Sequence, residues 1–245
     1  MKHQETLLVL ALLGSAATTG TAQASLVDRG NGLLYDNVLN VTWLQDANYA
    51  HTSGYAQANV SGAMDWATAN TWAANLNFDG LTGWRLATNT PLNGSSFNFV
   101  TNSWDGSTDV GSNITSPKSE LAYMYNVNLG LKDINSTTRV FQANYGIFGN
   151  GTIGGQNNVG LVHNLQSHDY WSGAEVSPYS PYNQYAWAFA TSSGSQFIQG
   201  KGVSTYFAWA VRPGDVAAIP VPGAVWLFGS GLLGLLSFKR RGNIA

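Results

Sequence analysis

His168-Asp169, just ahead of Tyr170-Trp171-Ser172, is the pair that could serve a hydrolase: a histidine as general base, a carboxylate to orient it and a nearby serine to attack. No Gly-x-Ser-x-Gly elbow is present to expose such a serine. With 4 histidines and abundant serine, such neighbours arise by chance, and a hydrogen-bonded loop residue is the simpler reading of His163 and His168. Asp105 and Asp109, in Asp105-Gly106-Ser107-Thr108-Asp109, offer hard oxygens of the kind calcium takes, without the full EF-hand pattern. An Asx turn accounts for the same residues. No His-Glu-x-x-His is present, which argues against a zinc hydrolase. The expectation is therefore no catalytic residue and no metal, with calcium at Asp105 and Asp109 as the alternative. Arg85 and Arg212 stand beside aromatics and could hold an anionic sugar; packing on Trp and bonding to carbonyls explains them more simply. Tyr179, Tyr182 and Tyr185 punctuate a polar, Pro-containing loop, Ser177 to Tyr185, and supply flat faces on which sugars stack. A packed surface loop is the alternative there.

Composition limits the chemistry further. The 245 residues include no Cys, which removes disulfides, thiolate nucleophiles, Cys-ligated zinc and iron–sulfur clusters. Net charge is −2, so nothing resembles the basic footprint of a nucleic-acid partner. Aromatics make up 12% of the chain and Trp numbers 9, ample for a core.

Several elements must position these residues. Val27 to Asp36 and Val38 to Leu44 read as two short strands with a turn at Asp36-Asn37, and Leu39, Val41 and Trp43 on one face. Residues 65–77 read as a helix capped by Asp65, with Trp66, Ala69, Trp72, Ala73 and Leu76 as its apolar stripe. Ser116-Pro117 should open a second helix that turns Leu121, Met124 and Tyr125 inward and stops near Gly130. Residues 132–165 read as long loops and short strands. Tyr185 to Ala190 and Tyr206 to Arg212 alternate large and small side chains, as part of two or three antiparallel strands.

Both ends read as addresses. Leu7 to Leu13 is an apolar run, and Ala22-Gln23-Ala24 offers the small residues of a signal-peptidase site, placing the cut after Ala24. The domain organisation expected is a signal peptide over 1–24, a body over 25–217 and a tail over 218–245. Pro220-Val221-Pro222-Gly223, the uncharged stretch 224–238 and the cluster Lys239-Arg240-Arg241 make up that tail. The basic cluster would stay cytoplasmic and leave the body outside the inner membrane.

This tail resembles the PEP-CTERM sorting signal of Gram-negative bacteria, with Val221 where the family has Glu. The resemblance implies Sec export, signal-peptidase cleavage, transient anchoring in the inner membrane by a terminal hydrophobic helix, and processing by an exosortase-type enzyme. It further implies release to the cell surface or extracellular space, in association with exopolysaccharide and biofilm.

The body resembles the Lcl C-terminal domain family, on Asn31-Gly32-Leu33 through Trp43, the Trp/Ala helix, Gly83-Trp84-Arg85-Leu86-Ala87-Thr88, Tyr170-Trp171-Ser172, the strand at Trp187, and Ala210-Val211-Arg212. Ala87 replaces the usual Pro. The resemblance implies an α+β fold, C-type-lectin-like or formylglycine-generating-enzyme-like, with two helices, short twisted antiparallel sheets and long loops. The cysteines of formylglycine-generating enzymes are missing, so their oxygen chemistry does not carry over. The expectation is a non-enzymatic exported surface or matrix protein; a carbohydrate-binding lectin-like module is the first alternative and an exported hydrolase the second.

Overall fold

Asn31-Gly32 splits the first expected strand in two. Both residues sit in the left-handed region, at φ 52° and 78°, which Asn and Gly tolerate best. Leu26–Gly30 (β1) and Leu33–Asp36 (β2) therefore form a tight antiparallel hairpin, with Gly30 opposite Leu33. The computed structural model describes residues 26–56, 62–101, 103–177, 179, 181–202 and 204–216. The expected signal peptide with Ala22 and Ala24, and the tail with Pro220, Val221, Pro222, Gly223, Lys239, Arg240, Arg241 and the 224–238 helix, lie outside the described residues.

The second expected strand starts later than its apolar pattern suggests. Asp36 Oδ1 accepts the amides of Val38 and Leu39, both at 2.9 Å, and closes a turn through Asn40 at φ 51°. Leu39 thus belongs to the turn, and Val41–Leu44 (β3) is the strand. All four of its residues are buried, because β3 lies inside the sheet and is covered on both faces there.

The helix at Asp65 forms as expected. Trp66–Asn75 (α2, after the short turn Tyr49–Thr52, α1) is capped by Asp65, whose side chain accepts the Thr68 amide. Ala69, Trp72 and Ala73 are buried, and the half-buried Trp66 donates its indole N–H to the Ser172 carbonyl at 2.8 Å.

The second helix does not begin at Ser116-Pro117. It is Glu120–Tyr123 (α3), continued by a π-helical turn over Met124–Asn128. The Ser116 carbonyl instead accepts the Ser119 amide in a preceding turn. Glu120 fixes the start: its carboxylate takes the Thr88 amide at 2.7 Å and both Arg85 nitrogens at 2.7 Å. Leu121, Met124 and Tyr125 are buried as the pattern requires.

The remaining strands are Arg85–Leu86 (β4), Gly111–Ser112 (β5), Gln156–Val159 (β6), Val162–Gln166 (β7), Asp169–Glu175 (β8), Tyr185–Ala190 (β9), Ser195–Gly200 (β10) and Ala210–Pro213 (β11). They make a five-stranded sheet β1-β2-β3-β11-β4, a four-stranded sheet β5-β10-β9-β8 and the hairpin β6-β7, all paired antiparallel. The architecture is α+β and mainly β. Among the described residues, no helix is long and apolar enough to cross a membrane.

Only Ala210–Pro213 of the aromatic stretch at 206–212 is strand; Tyr206 and Phe207 make isolated bridges to Met64 and Tyr170. Alternation at β9 has the expected consequence. Ala188 lies opposite Trp171 of β8 and Phe197 of β10, and Trp171 packs on Tyr206 with ring centroids 4.6 Å apart. The small side chain leaves room for its larger cross-strand neighbours.

A candidate aromatic binding groove

Two adjacent strands, β9 and β10, underlie the groove, with Ile198 of β10 in its floor. The β9–β10 register sets Trp187 opposite Ile198 and Phe189 opposite Gln196. Trp187 is fully buried because Phe97 and Phe99 lie on it, at 4.7 and 5.7 Å between centroids, the Phe99 ring almost parallel at 12°. The 91–99 loop carries these phenyls. Its tip is tightened by Asn93, whose Oδ1 accepts the amides of Ser95 and Ser96 at 2.8 and 3.1 Å.

The Pro-containing loop after β8 contributes Val176, Ser177, Tyr179 and Tyr182 to the lining. Tyr179 accepts, through its carbonyl, the amides of Tyr182 and Asn183 at 3.0 Å, which starts a 3-10 turn over Tyr182–Gln184. This holds Tyr179 and Tyr182 outward, 78% and 56% exposed. Together the strand and the two loops bound a groove of about 810 Å³, lined by Phe97, Phe99, Tyr179, Tyr182, Val176 and Ile198, and also by Pro91, Ser95, Ser96 and Ser177. None of the described residues lining it is charged. Such a volume and lining suit a ligand with apolar faces and hydroxyl groups.

Two of the three tyrosines singled out from the sequence meet in this groove. Tyr185 does not line it. It begins β9, half-buried, and its carbonyl accepts the Val176 amide at 3.1 Å. Phe97 and Phe99 also line the groove, and the signal the sequence offers for them is their spacing in Phe97-Asn98-Phe99, an aromatic alternation inside an otherwise polar loop.

The other candidates lie outside this groove. His168 Nδ1 accepts the Asp169 amide at 2.8 Å, so the ring proton of the neutral histidine sits on Nε2. A general base held by a carboxylate needs the reverse, with Nδ1–H donated and Nε2 free. The Asp169 carboxylate stands 4.0 Å from Nδ1, its pKa pushed upward by burial and drawn back by His168. The neighbouring Ser167 hydroxyl is spent on the Thr152 carbonyl. His163 is exposed on β7, where its backbone bridges to Asp46, and it does not join His168.

Asp105 and Asp109 do not share a site. Asp105 is exposed and accepts the Ser103 hydroxyl at 2.8 Å and the Ser107 amide at 3.0 Å; its pKa is pulled down to about 2, chiefly by Ser107 and Ser103. Asp109 is 1% exposed, and each of its carboxylate oxygens is held by a backbone amide, Leu92 at 2.9 Å and Asn98 at 2.7 Å. Among the described residues, no group of three His, Asp or Glu side chains could hold a metal. Arg85 is committed to Glu120, and Arg212 Nε donates to the Thr82 carbonyl at 3.3 Å. Arg85 also donates to the Leu86 carbonyl at 3.0 Å, so each arginine bonds a backbone carbonyl.

Compared with known proteins, the chain matches no family model, no curated protein and no solved structure.

Proposed function

We propose that this protein is an exported, non-enzymatic domain of lectin-like α+β fold that holds an uncharged polysaccharide chain in its aromatic groove, at the cell surface or in the extracellular matrix. The observation that carries the reading is the convergence of Phe97, Phe99, Tyr179 and Tyr182 on one groove whose described lining is uncharged and includes three serines. Aromatic rings stack on the C–H faces of sugar rings, and four aromatics along one groove suit an extended chain. The absence of charge among the described lining residues favours neutral sugars over uronic acids.

Affinity electrophoresis against hydroxyethyl cellulose, galactomannan and dextran, with alginate as the acidic control, tests the reading. At least one neutral polymer should retard the protein and alginate should not. Replacing both Tyr179 and Tyr182 by Ala should weaken that binding by roughly 5- to 150-fold, at about 0.5–1.5 kcal/mol per aromatic contact, while leaving the melting temperature in place. Retention by alginate alone, or undiminished binding by the double variant, would refute the neutral-glycan reading.

The routing belongs to the same proposal and is supported by the two ends of the sequence. Sec export with cleavage after Ala24, anchoring through 224–238 and exosortase-type processing near Pro220-Val221-Pro222 predict an extracellular species whose intact mass lacks both segments. Full-length protein confined to the cytoplasm would sink this part without touching the groove.

A further inference from the structure

We propose that Asp109 is the positioning residue that sets the Phe97–Phe99 wall of the groove. This rests on the reading of the groove as a binding site. The carboxylate spans the neck of the 91–99 loop: Oδ1 takes the amide of Leu92, Oδ2 the amide of Asn98, and the Asp109 amide returns to the Asn98 carbonyl at 3.2 Å. Asn98 is the residue between the two phenyls, so the clamp acts directly on the segment that lies over Trp187.

The clamp is itself anchored to the groove floor. The Asp109 carbonyl accepts Gln196 Nε2 at 2.7 Å, and Gln196 Oε1 accepts the Ser119 hydroxyl at 2.5 Å. Gln196 and Ile198 are two residues apart on β10 and point to the same face. Strand, carboxylate and loop thus form one hydrogen-bonded chain, which relates the phenyl wall to the floor. An Asp109 doing only this needs both oxygens as acceptors and no free valence toward a ligand.

Asp109→Asn, in the full chain, keeps the shape and puts an N–H group against one of the two amides. Two measurements are read together. Hydrogen exchange at the Leu92 and Asn98 amides should quicken at least 10-fold, with amides of β8 to β10 unchanged. Affinity for whichever neutral polysaccharide binds the wild type should fall about 10-fold, and that fall should vanish when Phe97 and Phe99 are already Ala. A residue that merely supports global stability would quicken exchange throughout and weaken binding equally in both backgrounds; either result overturns the proposal, as does unchanged exchange at Leu92 and Asn98. If Asp109→Asn does not fold, Asp109→Ser, which adds no opposing amide group, takes its place with the same expectations. Should the wild type bind none of the polymers, the glycan reading fails, and the exchange pattern decides whether Asp109 holds the loop.

Discussion

At pH 8 the Asp133→Asn protein should melt above the wild type, by at most about 8–16 °C, whereas near pH 4 the two should coincide. Asp133 is fully buried. One carboxylate oxygen accepts the Asn113 amide; the other, Oδ1, has no hydrogen-bond partner among the described residues. Burial pushes its pKa up to about 7, and the Asn113 amide offsets this only in part. The folded state therefore holds a proton that the unfolded chain, with an ordinary value of 3.8, has released over the intervening range. Stability is greatest below the unfolded value and falls as pH rises to about 7, after which it levels off. The separation corresponds to about 4 kcal/mol as an upper bound on the cost of burying the charge. Asn mimics the protonated acid, keeps an oxygen for Asn113 and cannot ionise. Thermal melts of both proteins from pH 4 to 9 check this. Parallel curves would mean that Asp133 does not titrate with folding.

Gly194→Ala should lower stability by about 3 kcal/mol or more. Its φ is +77°, where a Cβ is strained. The added carbon would also fall 1.9 Å from Asp133 Oδ1 and 2.9 Å from Asp133 Cα. The missing side chain at 194 is the space the buried carboxylate occupies. Urea unfolding midpoints measure the loss. A double-mutant cycle tests its cause: in an Asp133→Ala background the penalty of Gly194→Ala should shrink, because the oxygen is gone and only the backbone strain and the approach to Cα remain. An undiminished penalty would place the clash elsewhere. Three loops meet at this carboxylate, through Asn113, Asp133 itself and Gly194, and Tyr125 lies close enough for the charge to raise its pKa further after burial has done so.

Local signals in the chain were enough for some of the architecture. Asp65 followed by an Ala- and Trp-rich stripe makes α2 because capping and helical periodicity act within a few residues. The alternation at 185–190 makes β9 for the same reason of short range. Tyr179 and Tyr182 could be picked out as exposed aromatics because Pro and polar neighbours keep that loop at the surface. The absence of cysteine settles which chemistries are closed without any coordinates.

Other features depend on partners distant along the chain. Ser116-Pro117 has the form of a helix start, yet the helix begins at Glu120, where Arg85 and the Thr88 amide hold the carboxylate from more than 30 residues away. Asp109 has the composition of a cation ligand and is a loop clamp, since what a carboxylate does depends on whether amides or open space surround it. His168-Asp169 has the residues of a catalytic pair and the wrong hydrogen bond, which only the backbone path around Nδ1 reveals. The groove itself joins residues near 97 to residues near 180. No periodicity links two such loops; they become neighbours because β9 and β10 bring Trp187 and Ile198 together and the phenyls close over them.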